Sequence, residues 1–317
     1  MLRNSPWALG AAALAAALLN VSAEAAAPAA VTLGQNVFPE SLSSDRAGNL
    51  YIGSFKGGVL RVSPQGKVSE WISPGGFETR SIFGVLVDEP RRTVWLCSTD
   101  MSALGIATPG DQSGSWLKAF DLATAKGRAS YAIPQDNAHC NDMAVVADGT
   151  VYVTATGKDV FRLKPGAKAL ELWVSDPRIQ PPKAGGADGI AFGGDGHLYI
   201  NSVGGGLLFR IAIAKDGSGQ VTQLSTSRPL VRPDGMRPIS GNSLALAEGD
   251  GRVDRVEING DTAVITPLKD GLDGPTAVTV AGNRIWYVEG RLSLLFDPAK
   301  RGQTSDAPFT AAAVTLD

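Results

Sequence analysis

A strand-rich phrase that recurs at intervals of about 45 residues constrains the fold of this chain more than any other feature. Its clearest copies are DRAGNLYIGS, VADGTVYVTAT, GGDGHLYINS, ISGNSLALAEG and VAGNRIWYVEG, which begin at residues 45, 146, 193, 239 and 280. VDEPRRTVWLCST, from residue 87, is a sixth copy with an insertion behind it. Every copy reads as a turn and a strand followed by further short strands. A four-stranded unit repeated at this period is typical of a propeller blade.

The six copies predict an all-β fold, a single six-bladed β-propeller domain with four-stranded antiparallel blades over residues 28–317. The strand-like segments 29–34 and 309–316 are expected, one or both, to pair with the last blade. An open ring would leave unpaired strand edges, which propellers avoid. A β-sandwich is the alternative fold. A TIM barrel would need helical periodicity between the strands, and the sequence has none.

Residues 1–27 are predicted to be a secretory signal peptide rather than part of the fold. Arg3 precedes an apolar run from Ala8 to Leu19, and small residues with Ala-x-Ala sites follow. The run is short for a membrane span, which needs about 20 residues. Cleavage between Ala23 and Ala27 would place the mature protein in the periplasm or outside a bacterial cell, with no membrane span left.

Charge and cysteine content narrow the choice of partners. The 317 residues carry a net charge of −2, which gives no electrostatic basis for binding nucleic acid or an acidic membrane. A small molecule is the expected partner, and the protein is expected to be a monomer. Cys97 and Cys140 could form a disulfide in an oxidising compartment or remain two semi-buried thiols. The sequence leaves both possibilities open.

Oxygen-bearing side chains are predicted to form a ring where the inner strands of the blades begin. Counting back from the turn glycine of each blade gives such a residue in four blades: Glu40, Asn141, Asp188 and Asp234. The same count gives Phe83 or Gly84 in blade 2 and Pro275 in blade 6. Three carboxylates and an amide at one point would repel unless a cation compensates them, and calcium favours such an all-oxygen shell. The alternative is that these are ordinary Asp-Gly and Asn-Asp turns.

Four short motifs around this ring resemble one known family. PES (39–41), HCND (139–142), ADGI (187–190) and RPDGM (232–236) are similar to motifs of the senescence-marker-protein/gluconolactonase/regucalcin family of six-bladed propellers. Paraoxonases and strictosidine-synthase-like proteins are more distant relatives. In the family, a first-blade Glu, a fourth-blade Asn and a fifth-blade Asp bind one divalent metal. The resemblance implies that role for Glu40, Asp188 and Asp234, and implies that Asn141 contacts substrate or completes the metal shell.

The resemblance implies a divalent-metal-dependent hydrolase, a gluconolactonase-like lactonase acting on a sugar or related small lactone. One cation, with calcium preferred over zinc, manganese or magnesium, would polarise the ester carbonyl. Asp234 would orient or deprotonate the attacking water. His139 stands where the family has a substrate-contacting arginine, and it would act as a second acid or base or bind a substrate hydroxyl. The family's tryptophan after the glutamate motif is missing, and Asp188 replaces an asparagine.

Other functions are compatible with the same residues. The chain could be a non-catalytic exported propeller that binds a small ligand or a protein partner around a structural metal. Oxidoreductase or synthase-like chemistry also occurs on this fold, although the sequence carries no cofactor signature. A nucleophilic Cys140 with His139 as its base is disfavoured, because adjacent side chains in an extended segment point to opposite faces. Asp142 is expected to cap a turn rather than to orient His139.

Overall fold

Six β-sheets surround one axis in the computed structural model, which confirms the predicted six-bladed propeller. The structure describes residues 1, 28–182, 184–300, 303, 305 and 307–316. The predicted signal peptide therefore lies outside the described residues, apart from Met1. The first strands of the six blades contact one another in sequence around the axis, and the first strand of blade 6 contacts that of blade 1.

The six blades follow the six repeats of the sequence. From the axis outward, blade 1 comprises Pro39–Ser44, Leu50–Ser54, Val59–Val62 and Val68–Ile72, and blade 2 comprises Ser81–Asp88, Thr93–Thr99, Ser115–Asp121 and Gly127–Ala132. In the same order, blade 3 comprises Cys140–Val145, Val151–Ala155, Asp159–Leu163 and Glu171–Ser175, and blade 4 comprises Ala187–Phe192, Leu198–Ser202, Leu207–Ile213 and Gly219–Gln223. Blade 5 comprises Pro233–Ser240, Ser243–Glu248, Arg252–Asn259 and Thr262–Lys269, and blade 6 comprises Pro275–Ala281, Arg284–Glu289, Phe309–Thr315 and Ala30–Gly34.

Few residues lie in other regular elements. Ser225–Thr226 adds a short parallel strand to the outer edge of blade 5. Gly76–Glu78, Glu89–Arg91 and Ser102–Leu104 form single 3-10 turns, and Ser293–Phe296 forms one short α-helix. No helix among the described residues is long and apolar enough to cross a membrane.

The core lies between the blades rather than inside any one of them. All five residues of the second strands Leu50–Ser54, Val151–Ala155 and Leu198–Ser202 are buried, because neighbouring blades cover both faces of these strands. The outermost strand Glu171–Ser175 has one buried residue. Burial therefore decreases outward from the axis, and the apolar, β-branched composition of the second strands follows from it.

Two segments that are far apart in sequence close the ring. Ala30–Gly34 pairs antiparallel with Phe309–Thr315, with Ala30 opposite Ala312 and Thr32 opposite Thr310. Phe309–Thr315 in turn pairs with the second strand of blade 6. Both strand-like segments predicted for closure are thus used, and blade 6 contains strands from both halves of the chain.

A disulfide joins blade 2 to blade 3. Cys97 lies in the second strand of blade 2, Cys140 begins the inner strand of blade 3, and their sulfurs are bonded. Both residues are fully buried. Of the two possibilities that the sequence left open, the structure has the disulfide.

Blade 5 contains a buried charge cluster. Glu248 and Asp254 are fully buried, and Arg228 lies 2.5 Å from a Glu248 oxygen and 2.8 Å from an Asp254 oxygen. Burial, followed by the hydrogen bond and the charge of Glu248, raises the pKa of Asp254 to about 7. The Arg228 guanidinium therefore contacts both carboxyl groups, and Arg252 Nε lies 3.6 Å from a Glu248 oxygen as a second cation.

Replacing both cysteines, as in Cys97→Ala/Cys140→Ala, should destabilise the protein by up to about 4 kcal/mol, because the unfolded chain loses the closure of a loop of about 43 residues. Urea unfolding with and without a reductant measures this loss. The reductant should lower the stability of the wild type to that of the double variant, which should itself be insensitive. A wild type with the same stability after complete reduction would contradict the prediction.

The raised pKa of Asp254 predicts a pH-dependent stability. Between an unfolded pKa of 3.8 and a folded pKa of about 7, the folded state binds more protons, so stability falls as pH rises. Asp254→Asn removes this titration. Its free energy of unfolding relative to the wild type should therefore rise between pH 4.5 and pH 7.5. A difference that is constant across this range would contradict the assignment.

Candidate functional site

A β-bulge in every inner strand places one side chain per blade at the mouth of the axis. In blade 3, Asn141 and Asp142 together lie opposite one residue of the second strand, Thr154, and the registers of the other five blades shift at the same point. Bulges redirect side chains and interrupt the ladder in this way. The bulges assign the ring positions: Glu40, Phe83, Asn141, Asp188, Asp234 and Thr276.

The bulges change the predicted ring residue of blade 6 and decide between the two predicted for blade 2. Phe83, and not Gly84, is the bulged residue of blade 2. The predicted Pro275 is wrong by one residue, because Pro275 is still paired with Glu289 and Thr276 follows as the extra residue. A Cβ atom on Gly84 would lie 2.5 Å from the Asn141 carbonyl oxygen. Gly84 therefore allows blade 3 to approach blade 2 closely at the axis.

The structure brings together the four predicted oxygen donors. Glu40 and Asn141 are 6% and 5% exposed. Burial, followed by the charges of Asp234 and Asp188, raises the pKa of Glu40 well above its usual value. Asn141 donates a hydrogen bond to Asp188 that opposes the effect of burial on the Asp188 pKa. The predicted convergence of Glu40, Asn141, Asp188 and Asp234 is therefore present, whereas their roles stay predictions.

Asp188 and Asp234 form a coupled carboxyl pair. Burial raises the pKa of Asp188 to about 7. Burial and the Asp188 charge raise the pKa of Asp234, and the two carboxyl groups are hydrogen-bonded to each other. Ionising both of these carboxyl groups costs desolvation and like-charge repulsion, so the pair favours a state in which one of the two is protonated. Asp234 is the partly exposed member of the pair.

Side chains of neighbouring blades hold the backbone of the ring. The Thr154 hydroxyl of blade 3 donates to the Asp188 carbonyl oxygen at 2.5 Å, and the Asn201 amide of blade 4 donates to that of Asp234 at 2.6 Å. In both cases the second strand of one blade positions the ring residue of the next. The repeat pattern did not predict these residues, although a polar residue in an apolar second strand, as in YVTAT or YINS, is a detectable signal.

A buried ion pair crosses the axis below the ring. Arg237, from the inner strand of blade 5, donates to both Asp142 oxygens at 2.6 and 2.9 Å. Its guanidinium also donates to the Val85 carbonyl oxygen of blade 2 at 3.0 Å. Asp142 is therefore an axial strand residue, and its expected turn role is wrong. Arg237 was not predicted as a site residue, although no other inner strand contains a basic residue.

His139 lies at the rim of the site, directly before the inner strand of blade 3. It is half-buried, and its ring centroid is 5.9 Å from that of Phe83. Burial lowers the pKa of His139 below its usual value. The imidazole is therefore neutral at pH 7 and can accept a proton or a hydrogen bond there.

The types of oxygen donor in the ring suit a metal ion, whereas the positions of these donors do not form a metal site. Three carboxylates and an amide are the ligands that calcium prefers. Within the described residues, however, no group of three or more His, Cys, Asp or Glu side chains is placed so that it could hold a metal ion. The predicted calcium site thus has suitable donors without an assembled coordination sphere.

Comparison with known proteins supports the predicted resemblance. Residues 26–62 match the family model described as strictosidine synthase-like, N-terminal. The fold resembles the gluconolactonase XC5397 from Xanthomonas campestris, with a TM-score of 0.62 and 16% identity over 90% of this chain and 89% of that chain. The fold also resembles that of a luciferin-regenerating enzyme, with a TM-score of 0.63 and 13% identity over 90% of this chain and 95% of that chain. The chain is similar to the senescence-marker-protein/gluconolactonase family.

Proteins with other activities also share this fold. Virginiamycin B lyase from Staphylococcus aureus has a TM-score of 0.59 and 15% identity, over 91% of this chain and 98% of that chain. No curated protein sequence matches the chain significantly. At these identities the structural neighbours establish the propeller fold alone, because one scaffold supports many chemistries.

Arg237→Met should destabilise the protein by about 3–5 kcal/mol, because Asp142 would remain as a buried, unpaired carboxylate. Adding Asp142→Leu to the same chain should restore much of the loss, because the pair is then replaced by apolar side chains. Urea unfolding of both single variants and the double variant measures the coupling. Strictly additive effects would show that the ion pair does not link the blades.

Proposed function

We propose that this protein is a hydrolase of small lactones, with a sugar-derived lactone as its substrate. The convergence of Glu40, Asn141, Asp188 and Asp234 at one end of the axis is the observation that supports the proposal. The bulges, the inter-blade hydrogen bonds and the buried ion pair all serve to hold these side chains in place. A structural ring would not need four polar groups whose burial is so costly.

Asp234 is proposed as the group that orients and deprotonates the attacking water. It is the ring carboxyl group with the greatest access to the mouth of the site. Burial, followed by the charge of Asp188, raises its pKa well above the usual carboxyl value, which makes the ionised group a stronger base. Asp188 would take part in the same proton exchange through the hydrogen bond that joins the two carboxyl groups.

His139 and Asn141 are proposed to bind the lactone. The neutral imidazole can accept a hydrogen bond from a substrate hydroxyl or return a proton to the leaving oxygen. The Asn141 amide can donate to a substrate oxygen when Asp188 does not occupy it. The contact with Phe83 fixes one face of the imidazole, so that its remaining edge is available at the rim.

We further propose that Glu40, Asn141, Asp188 and Asp234 hold one divalent cation, preferentially calcium. When bound, such a cation would polarise the lactone carbonyl. Binding would displace the proton that the raised pKa values of Asp188 and Asp234 favour. Zinc, manganese and magnesium are the alternative ions. Export to the periplasm or beyond remains our proposal for location, and the buried Cys97–Cys140 disulfide agrees with an oxidising compartment.

The decisive experiment measures hydrolysis of sugar and aliphatic lactones by the chelated protein, before and after addition of calcium, zinc, manganese or magnesium. We expect calcium to restore turnover. Asp234→Asn should lower kcat by at least about 100-fold, because general-base catalysis contributes about 10²–10⁴-fold. Glu40→Gln should weaken calcium binding in a calorimetric titration.

Asp195→Asn, in a turn at the opposite end of blade 4, is the matched control and should leave kcat unchanged. Turnover that is equal with and without metal would overturn the metal proposal but keep the hydrolase. A folded protein that hydrolyses no lactone with any ion would overturn the hydrolase and favour the non-catalytic propeller that binds a ligand around a structural metal.

A further inference from the structure

A cavity lies beside the ring at the same end of the propeller. The antiparallel order of the strands places the connection between second and third strands at the end where the inner strand begins. In blade 2 this connection is the insertion of residues 100–114. Between the insertion and the segment that leads into blade 3 lies a cavity of about 330 Å³, and His139 forms part of its wall. His139 therefore borders both the cavity and the ring.

Two buried cations fix the insertion that forms the cavity wall. The Arg80 guanidinium donates to the Asp100 carboxylate at 2.9 Å and to the Gly110 carbonyl oxygen at 2.7 Å. The Lys118 ammonium, which is 1% exposed, donates to the Phe77 carbonyl oxygen and to the Gln112 side chain. Because these contacts join the insertion to blade 2 at both of its ends, the wall is formed before a ligand arrives.

The wall is polar and has one aromatic face. Exposed hydroxyl and amide groups dominate it: Ser102, Ser113, Gln135 and Asn137. The Trp116 indole donates to the Ser113 carbonyl oxygen at 2.8 Å, and the Lys118 ammonium lies 5.9 Å from the centre of the indole ring. The Lys118 cation thus lies near one side of the indole ring, and Trp116 forms part of the cavity wall.

The charges of the wall favour an uncharged ligand. Asp100 is already paired with Arg80. Burial alone would raise the pKa of the Asp100 carboxyl group, but the hydrogen bond from the Ser102 backbone N–H and the Arg80 charge outweigh burial and lower this pKa below its usual value. The only other carboxylate in the wall, Asp136, is exposed to solvent. No Lys or Arg lines the cavity to receive an anion. Hydroxyl, amide and aromatic surfaces without net attraction for either sign suit a neutral polyhydroxylated ring.

We propose that this cavity binds a second, uncharged sugar ring of the substrate, so that the preferred substrate is a lactone extended by a glycosyl group. The proposal rests on the proposed lactonase function and specifies its substrate class. His139 would contact the junction between the lactone and the added ring. Residues 100–114 would then determine specificity, whereas the ring of Glu40, Asn141, Asp188 and Asp234 would carry out the reaction.

The test compares kcat/KM for gluconolactone and for cellobionolactone, which carries one additional glucosyl ring. The wild type should prefer the extended lactone by at least about tenfold. Ala103→Trp, which fills the cavity from its exposed wall, should remove that preference by raising KM for the extended lactone alone. Ala123→Trp, in a turn at the other end of blade 2, is the matched control and should keep it.

A binding measurement separates this proposal from the lactonase proposal. Cellobiose, which has no lactone, should bind to Asp234→Asn in a calorimetric titration and fail to bind when Ala103→Trp is added. Cellobiose binding without any lactone hydrolysis would support the cavity and overturn the proposed reaction. Equal kcat/KM for the two lactones, a preference unchanged in Ala103→Trp, or a preference for a cationic amino-sugar lactone would overturn the sugar subsite.

Discussion

The buried pair of Asp142 and Arg237 governs the electrostatics of the axis. Arg237 extends from blade 5 to blades 2 and 3 and is the one basic residue that the inner strands contribute. Around it lie four carboxyl groups, those of Glu40, Asp142, Asp188 and Asp234. A single guanidinium cannot neutralise all four, and its bonds to Asp142 commit most of its charge there. Burial is the main cause of the raised pKa values of the other three, and the neighbouring carboxyl charges add to it because no further cation among the described residues compensates them.

The same shortage connects stability to the proposed chemistry. Every bulge interrupts a ladder, and every buried carboxyl group carries a desolvation cost. The fold compensates with contacts between blades: Thr154 and Asn201 hold ring carbonyl groups, and the Cys97–Cys140 disulfide fixes blade 2 to blade 3. The outer strands extend each sheet and place no residue in the ring. The connections at the end that carries the ring vary in length from blade to blade.

The repeat was sufficient to predict the propeller, its six blades and the use of both end segments for closure, because blade periodicity depends on local turns and strand alternation. Counting from turn glycines also located four of the ring side chains. It failed for Pro275 because the turn of blade 6 is shorter: Gly282 follows Thr276 by six positions, whereas Gly149 follows Asn141 by eight. It gave no access to Arg237, to the axial role of Asp142 or to the pairing of Cys97 with Cys140. Those contacts join residues 43 or 95 positions apart and depend on how blades meet.

The closure of blade 6 has a consequence for how the protein folds. Ala30–Gly34 must wait for Phe309–Thr315, so the pairing that completes the ring spans almost the whole described chain and has a large loop-closure entropy. The Thr276 hydroxyl then donates to the Pro39 carbonyl oxygen across that seam, directly beside Glu40. A chain with five assembled blades would lack this contact. The candidate site is thus complete only when the ring has closed, and an intermediate arrested before that step would lack it even with most of its secondary structure formed.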